Sequence, residues 1–93
     1  MDTVELCICL ESLAQKTRLE LINILKEKGM TLKEIMRRTK LSRTLAVYHI
    51  SVLERAGLVS RKYIDTDGQI DAVYELNKEK LKELIEELKK IVE

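Results

Sequence analysis

Apolar residues recur every three or four positions along most of the chain, and capping residues divide this pattern into predicted helices. The first, about Thr3 to Ala14, is apolar on nearly all sides, so something beyond its own core must cover part of it. A second helix opens at the capping-box spacing of 17–20 and stops at Gly29. The same signal at 31–34 opens a short third helix that ends near Thr39.

The fourth predicted helix follows a connection of only three residues, 40–42. Ser42 can serve as its N-cap, and the helix runs to about Ala56, with Gly57 at the left-handed position that ends helices. Two helices joined this closely are the outline of a helix-turn-helix.

Two strand-like segments come next, at 58–64 and 70–76. The Asp67-Gly68 pair between them is a strong hairpin signal. Asn77 then caps a fifth helix. Its apolar residues form one stripe, which comprises Leu81, Leu84, Ile85, Leu88, Ile91 and Val92. The pattern predicts a mainly α fold with a small β-hairpin (α+β), in a single domain over 1–93.

The net charge of +1 conceals a local excess of basic residues. Residues 31 to 63 contain eight lysines and arginines against two glutamates. A basic face on a nearly neutral protein predicts contact with a polyanion, although a solvated face is the alternative in a chain that is 35% charged. Phe and Trp are absent, so there is no aromatic platform for stacking single-stranded bases.

Several classes of protein are disfavoured by composition. No apolar run approaches the ~20 residues of a membrane span, and Met1 to Glu5 lacks the basic start of a signal peptide, so we expect a cytoplasmic protein without a membrane partner. A single histidine, no glycine-rich phosphate loop and no metal-ligand spacing argue against an enzyme, a cofactor or a metal site. Absence of proline and abundance of Lys, Glu, Ile and Leu are compatible with a thermophilic source.

The fourth helix divides into an inner and an outer face at about 100° per residue. Ala46, Ile50 and Leu53 form the buried stripe, and the residues opposite or beside it remain for a partner. A major groove about 12 Å wide admits such a helix. With the basic strand that follows, the predicted DNA contacts are Lys40, Ser42, Arg43, Thr44, Val47, Tyr48, Ser51, Arg61 and Lys62.

Other roles are open for some of these residues. Arg43 has Glu34 or solvent as alternatives to DNA, and Tyr48 has packing against the preceding helix. Arg61 and Lys62 are adjacent on a strand and point to opposite faces, so only one can easily reach the DNA backbone. Since the hairpin tip, 65–68, is acidic, specificity should rest mainly on the helix. His49 is expected to be a hydrogen-bonded residue at the core edge.

Cys7 and Cys9 diverge by about 200° on the first helix, so together they cannot chelate one ion. Three possibilities are open: buried free thiols, an intersubunit disulfide, or a metal or redox site completed by a second chain.

The order of elements and two segments resemble the ArsR-type winged-helix transcriptional regulators. Residues 13–19, LAQKTRL, resemble that family's LADPTRL, and 41–59 resemble its LS…VSYHLKKLEEAGLV recognition helix and strand start. The likeness covers about residues 10–76. It implies a homodimer built from the first and last helices, which binds a pseudo-palindromic operator. The cysteines and histidines of the family's metal sensors are missing from the third and last helices, so metal sensing is not expected.

The apolar faces of the first and last helices independently need a partner surface. The predicted dimer contacts are Val4, Cys7, Ile8, Leu10, Leu81, Leu84, Leu88 and Ile91. We therefore assign 1–15 and 77–93 to dimerisation, 31–57 to the helix-turn-helix and 58–76 to the wing. The sequence predicts a sequence-specific regulator that binds double-stranded DNA, with a dimeric repressor as the expected form. The alternative is a winged-helix module for protein-protein interaction.

Overall fold

The computed structural model describes residues 1–93 and contains five helices and three short strands. In chain order these are α1 Thr3–Leu13, α2 Lys16–Leu25, β1 Met30–Thr31, α3 Leu32–Thr39, α4 Arg43–Arg55, β2 Val59–Thr66, β3 Gln69–Leu76 and α5 Lys78–Val92. The predicted class, mainly α with a small β component arranged as a winged helix, is confirmed.

Three predicted helix starts are confirmed, each by a side chain that accepts a hydrogen bond from a free backbone N–H of the first turn. Thr31 and Glu34 form a reciprocal capping box at α3. Ser42 Oγ accepts from the Leu45 N–H at 3.2 Å, and Asn77 Oδ1 accepts from the Lys80 N–H at 3.1 Å. These local signals hold because each cap bonds a backbone N–H only three residues away, whatever the distant parts of the chain do.

The prediction for α2 was wrong at both ends. Gln15, not Thr17, caps the helix, its side-chain oxygen accepting from the Arg18 N–H at 3.1 Å. The helix also ends at Leu25, before Gly29. Gly29 serves a different purpose, because a Cβ at this position would lie 2.8 Å from Val73 Cγ1 on β3. Close approach to the sheet, not a helix stop, requires the glycine.

The sheet has a third strand that the sequence did not predict. Its order is β1-β3-β2, and the two residues of β1 pair antiparallel with the base of β3, with Met30 opposite Tyr74. A two-residue strand is too short to leave a periodic pattern. The hairpin turn itself is as predicted, because Asp67 and Gly68 both have positive φ, at 52° and 80°.

The core lies between the helices and the base of the wing. It comprises Leu21, Leu25, Met30, Ile35, Ile50, Leu53, Ala56, Leu58, Val59 and Tyr74. Every residue of β2 beyond Val59 is exposed, so most of the wing extends past this core. None of the five helices is both long and apolar enough to cross a bilayer.

Candidate nucleic-acid interface

The turn between α3 and α4 is fixed by its own backbone and hydroxyl contacts. Lys40 adopts a left-handed conformation, φ 64°, and its N–H donates to Met36 O at 2.9 Å. Thr39 Oγ1 donates to Ile35 O at 2.8 Å and accepts from the Leu41 N–H at 3.3 Å. Since Ser42 then caps α4, the turn sets the first turn of α4 at the surface with its positive dipole end outward.

The inner face of α4 is the predicted one. Ala46, Ile50 and Leu53 are all buried. His49, which the sequence placed at the edge of this buried stripe, is itself buried, with 7% exposure. The helix is thereby held along one side, which leaves the other side available to a partner.

The outer face brings together most of the predicted helix contacts. Arg43, Thr44, Val47 and Tyr48 are exposed on the first two turns of α4. Ser51 is half-buried, and its hydroxyl already donates to Val47 O at 2.7 Å, so it is the least available of the set.

Arg43 does not take the alternative partner that the sequence offered. It forms no ion pair, and Glu34 is occupied by the capping box with Thr31. Arg43 lines a cleft between α3 and β3, which Lys33 and Asp71 also line. A charged side chain at this exposed position is available to an external anion.

Leu45 was missing from the predicted set although it is 49% exposed on the same helix. It lies about 100° from Ala46, on the flank opposite Val47. The signal was present in the helical angles, but a leucine beside a buried stripe is ordinarily assigned to the core.

A partly buried network ties α4 to the first two helices. Arg18 Nη1 lies 3.1 Å from His49 Nδ1, and Arg18 Nε donates to Ser12 O at 2.6 Å. Burial, and then the Arg18 charge, lower the pKa of His49. The expectation of a hydrogen-bonded histidine is met, and Arg18 orients the helix from behind rather than contacting the outer face.

The two basic residues of β2 are both paired within the chain. Arg61 Nη2 lies 2.9 Å from Glu54 Oε1, and Lys62 Nζ lies 2.5 Å from Glu75 Oε1. Their adjacent positions do put them on opposite faces, as expected. These pairings diminish the charge that the strand presents, and the acidic tip beyond them carries a turn in which Asp65 Oδ1 accepts from the Gly68 N–H at 3.1 Å.

The predicted dimer contacts divide into exposed and internal residues. Val4, Cys7, Ile8 and Leu10 are exposed on α1, as are Leu88 and Ile91 on α5. Leu84 is a correction: it is only 2% exposed because it packs inside its own chain. Leu81 is half-buried against the core. The apolar stripe of α5 is therefore buried along one edge, at Leu84, and exposed along the other, which includes Ile85 and Val92.

The two cysteines do not share an environment, so of the three possibilities left open by the sequence, that of two buried thiols does not hold for Cys7. Cys7 is exposed, and its Sγ donates to Glu11 Oε1 at 3.4 Å, which raises the pKa of the thiol. Cys9 is buried and donates to Ala56 O at 3.5 Å, and burial raises its pKa. No three His, Cys, Asp or Glu side chains of the chain converge as metal ligands.

Comparison with known proteins places these features in a family. The profile of the family described as "Bacterial regulatory protein, arsR family" matches residues 15–61, a range that contains α2, α3, the turn and α4. No curated protein sequence matches the chain at a significant level.

Solved structures of the same architecture extend the likeness beyond that range. An ArsR-like transcriptional regulator from Rhodococcus sp. RHA1 is 23% identical over 95% of this chain and 79% of its own, with a TM-score of 0.79. A transcriptional regulator homologue from Pyrococcus horikoshii OT3 is 26% identical over 88% and 85%, with a TM-score of 0.67. A homodimeric winged helix-turn-helix DNA-binding domain from Mycobacterium bovis is 18% identical over 95% and 77%, with a TM-score of 0.72.

Proposed function

The chain belongs to the bacterial arsR family of regulatory proteins, and from that premise we propose that it is a dimeric repressor of a pseudo-palindromic operator. The family consists of helix-turn-helix transcription regulators that bind DNA and are not enzymes. The observation that carries the proposal is the exposed first turn of α4, where Arg43 has no carboxylate partner inside the chain.

The proposed reading of DNA uses the N-terminal half of α4 in the major groove. Arg43 has the fork geometry to bind guanine O6 and N7, and Val47 offers a methyl contact to thymine. Thr44 and Tyr48 supply hydroxyls for a base or a phosphate. At the turn, Lys40 and the capped helix N-terminus at Ser42 suit a phosphate oxygen.

The wing has a smaller part in this proposal. Lys62 is exposed on β2 and is the better candidate for a phosphate contact, because its lysine stem is free to move away from Glu75. Arg61 is held more firmly by Glu54 and is the weaker candidate.

Dimerisation is supported by the apolar surface that α1 and α5 leave uncovered, and by the homodimeric description of the Mycobacterium bovis domain. The surface comprises Val4, Ile8, Leu10, Ile85, Leu88, Ile91 and Val92. A two-fold dimer would present two copies of α4 to half-sites about 34 Å apart on one face of the duplex. Occupying such a site over a promoter would exclude polymerase, which makes repression the expected outcome.

A gel-shift titration on a library of genomic fragments tests the proposal. We expect one or a few fragments, each with a palindromic site, to bind preferentially, and affinity to fall steeply between about 50 and 200 mM salt. Equal weak binding to every fragment would refute sequence-specific recognition and would favour a protein-interaction module.

A further inference from the structure

One cluster of side chains, centred on Arg61, the weaker of the two candidate phosphate contacts of β2, joins the recognition helix to the wing. Arg61 on β2 donates to both carboxylate oxygens of Glu54 on α4, from Nε at 3.2 Å and from Nη2 at 2.9 Å. Its Nη1 donates to Tyr63 Oη at 3.4 Å, and its guanidinium carbon lies 5.2 Å from the centroid of the Tyr74 ring. The guanidinium therefore contacts a helix and both strands of the wing.

The cluster lies where the wing leaves the core, and it links β2 to α4. The base of β3 is anchored by β1, through the pairing of Met30 with Tyr74, but β2 is the outer strand of the sheet. Past Val59 no residue of β2 is buried, so β2 is held by its ladder with β3 and not by core packing, and nothing buried fixes the outer part of the hairpin relative to α4. The pair between Glu54 and Arg61 spans the Gly57 turn and is the only ion pair that connects the wing to a helix.

The chemistry of the pair is suited to holding a fixed angle. A bidentate guanidinium-carboxylate contact constrains direction as well as distance, which a single lysine contact does not. Glu54 is mostly shielded, with 22% of its side chain exposed, and hydrogen bonding to Glu54 and Tyr63 raises the pKa of Arg61. The arginine is therefore charged at every physiological pH.

We propose that the Glu54-Arg61 pair is a positioning device that sets the angle of the wing relative to α4, so that both meet one DNA duplex together. This inference rests on the proposed binding of DNA through α4. Arg61 acts through Glu54 and the Tyr74 ring and contacts no phosphate itself. Lys62, on the opposite face of the strand, is then the residue of β2 that can lie against the backbone.

The decisive variant is Glu54→Gln. A phosphate-binding role and a positioning role of Arg61 predict changes of opposite sign in the affinity of this variant for DNA. Removing a carboxylate near DNA lowers repulsion and frees Arg61, so a direct phosphate role predicts tighter binding. The positioning role predicts affinity lower by about fivefold, in the range expected of a well-oriented surface pair. Glu75→Gln is the matched control: it also removes the carboxylate partner of a β2 cation, but Glu75 and Lys62 both lie within the hairpin, so affinity should be unchanged or slightly higher.

Arg61→Ala and the double variant complete the test. We expect Arg61→Ala to match Glu54→Gln in affinity with an unchanged slope of log K against log salt, and the double variant to be no worse than either single one. Two results would overturn the proposal. One is a slope of log K against log salt that falls by about one phosphate contact in Arg61→Ala. The other is binding by Glu54→Gln that is as tight as wild type or tighter.

A readout without DNA separates failure of this inference from failure of the proposed function. Amide hydrogen exchange in β2 should be faster in Glu54→Gln and Arg61→Ala, while α3 and α4 keep wild-type protection. If the wild-type chain binds no DNA preferentially, the proposed function fails whatever the wing does. If DNA binds preferentially and β2 exchange is unchanged in both variants, the positioning role is wrong and the function stands.

Discussion

Some basic side chains are paired with a carboxylate of the same chain, and others are not. Arg61, Lys62 and Lys80 each contact a carboxylate, whereas Arg43 and Lys40 have none. A paired cation must give up its partner before it binds a phosphate, and an unpaired one does not. The electrostatic attraction for DNA therefore comes more from the turn and the first turn of α4 than from the wing.

Replacing Arg43 with alanine should lower affinity for the preferred site by about 1 to 3 kcal/mol and relax specificity at one base position. The loss follows from removal of a forked donor that no other residue supplies. Arg55→Ala is the matched control, since it removes the same charge from the C-terminal end of α4, where Arg55 lies beside Ile8 of α1. Competition titrations with single-base variants of the site measure both effects. Unaltered specificity in Arg43→Ala would show that α4 docks differently.

His49 should make stability depend on pH. Its pKa is lowered in the folded protein by burial and by Arg18, so folding favours the neutral imidazole. That stability is fully present above the unfolded pKa of about 6.5 and is lost as pH falls through the lower folded pKa. Denaturant unfolding between about pH 7.5 and 5 should show a steeper decline for wild type than for His49→Gln, in which this titration is absent. Parallel curves would mean that the histidine is not held neutral.

At the scale of elements, the predictable parts were those specified by neighbouring residues. The caps Thr31, Ser42 and Asn77 and the Asp67-Gly68 turn needed only local hydrogen bonds and backbone conformations. The start of α2 was misjudged because Gln15 is an uncommon cap and Thr17 fitted the pattern better.

Other features depend on contacts between distant parts of the chain. Strand β1 exists only because β3 pairs with it, and periodicity placed Leu84 on the α5 stripe without showing that this edge of the stripe faces the core. The Glu54-Arg61 pair similarly requires the angle of the turn at Gly57, which the spacing of seven residues does not disclose. Of the candidate site, periodicity predicted the outer face of α4, but not which cations were already paired.

The Gly57 turn is the element on which the placement of the wing depends. Its φ of 80° is unfavourable for any residue with a Cβ, although a Cβ would meet nothing closer than Lys80 Cε at 3.5 Å. Gly57→Ala should therefore lower the free energy of unfolding by about 1–2 kcal/mol through backbone strain alone. Gly57→Asn should lose less, because Asn tolerates this conformation. Equal stability of Gly57→Ala and wild type in urea unfolding would contradict this explanation.

At the scale of the whole molecule, the two kinds of surface lie on different elements. The proposed DNA surface, with the unpaired cations Lys40 and Arg43, is at the turn and α4, and the proposed dimer surface consists of exposed apolar residues on α1 and α5. A protein with this division can associate through one surface while the other remains open to DNA. The arrangement accounts for a nearly neutral chain that still presents a basic face.

Ile8→Lys should convert the proposed dimer to monomer, because a lysine charge would be buried in an apolar contact. The matched control is Ile70→Lys, which makes the same change on the wing, where Ile70 is 69% exposed compared with 47% for Ile8. Sedimentation equilibrium of the two variants and wild type gives the result directly. A dimer that survives Ile8→Lys but not Ile70→Lys would place the interface on the wing.

The central claim is that the first turns of α4 read bases in the major groove, and methylation interference on the preferred site tests it most directly. Dimethyl sulfate marks guanine N7 in the major groove and adenine N3 in the minor groove. We predict that N7 methylation at one guanine in each half-site, with the two half-sites about 34 Å apart, abolishes binding, and that N3 methylation has little effect. Interference confined to adenine N3, or none at any guanine, would contradict the account.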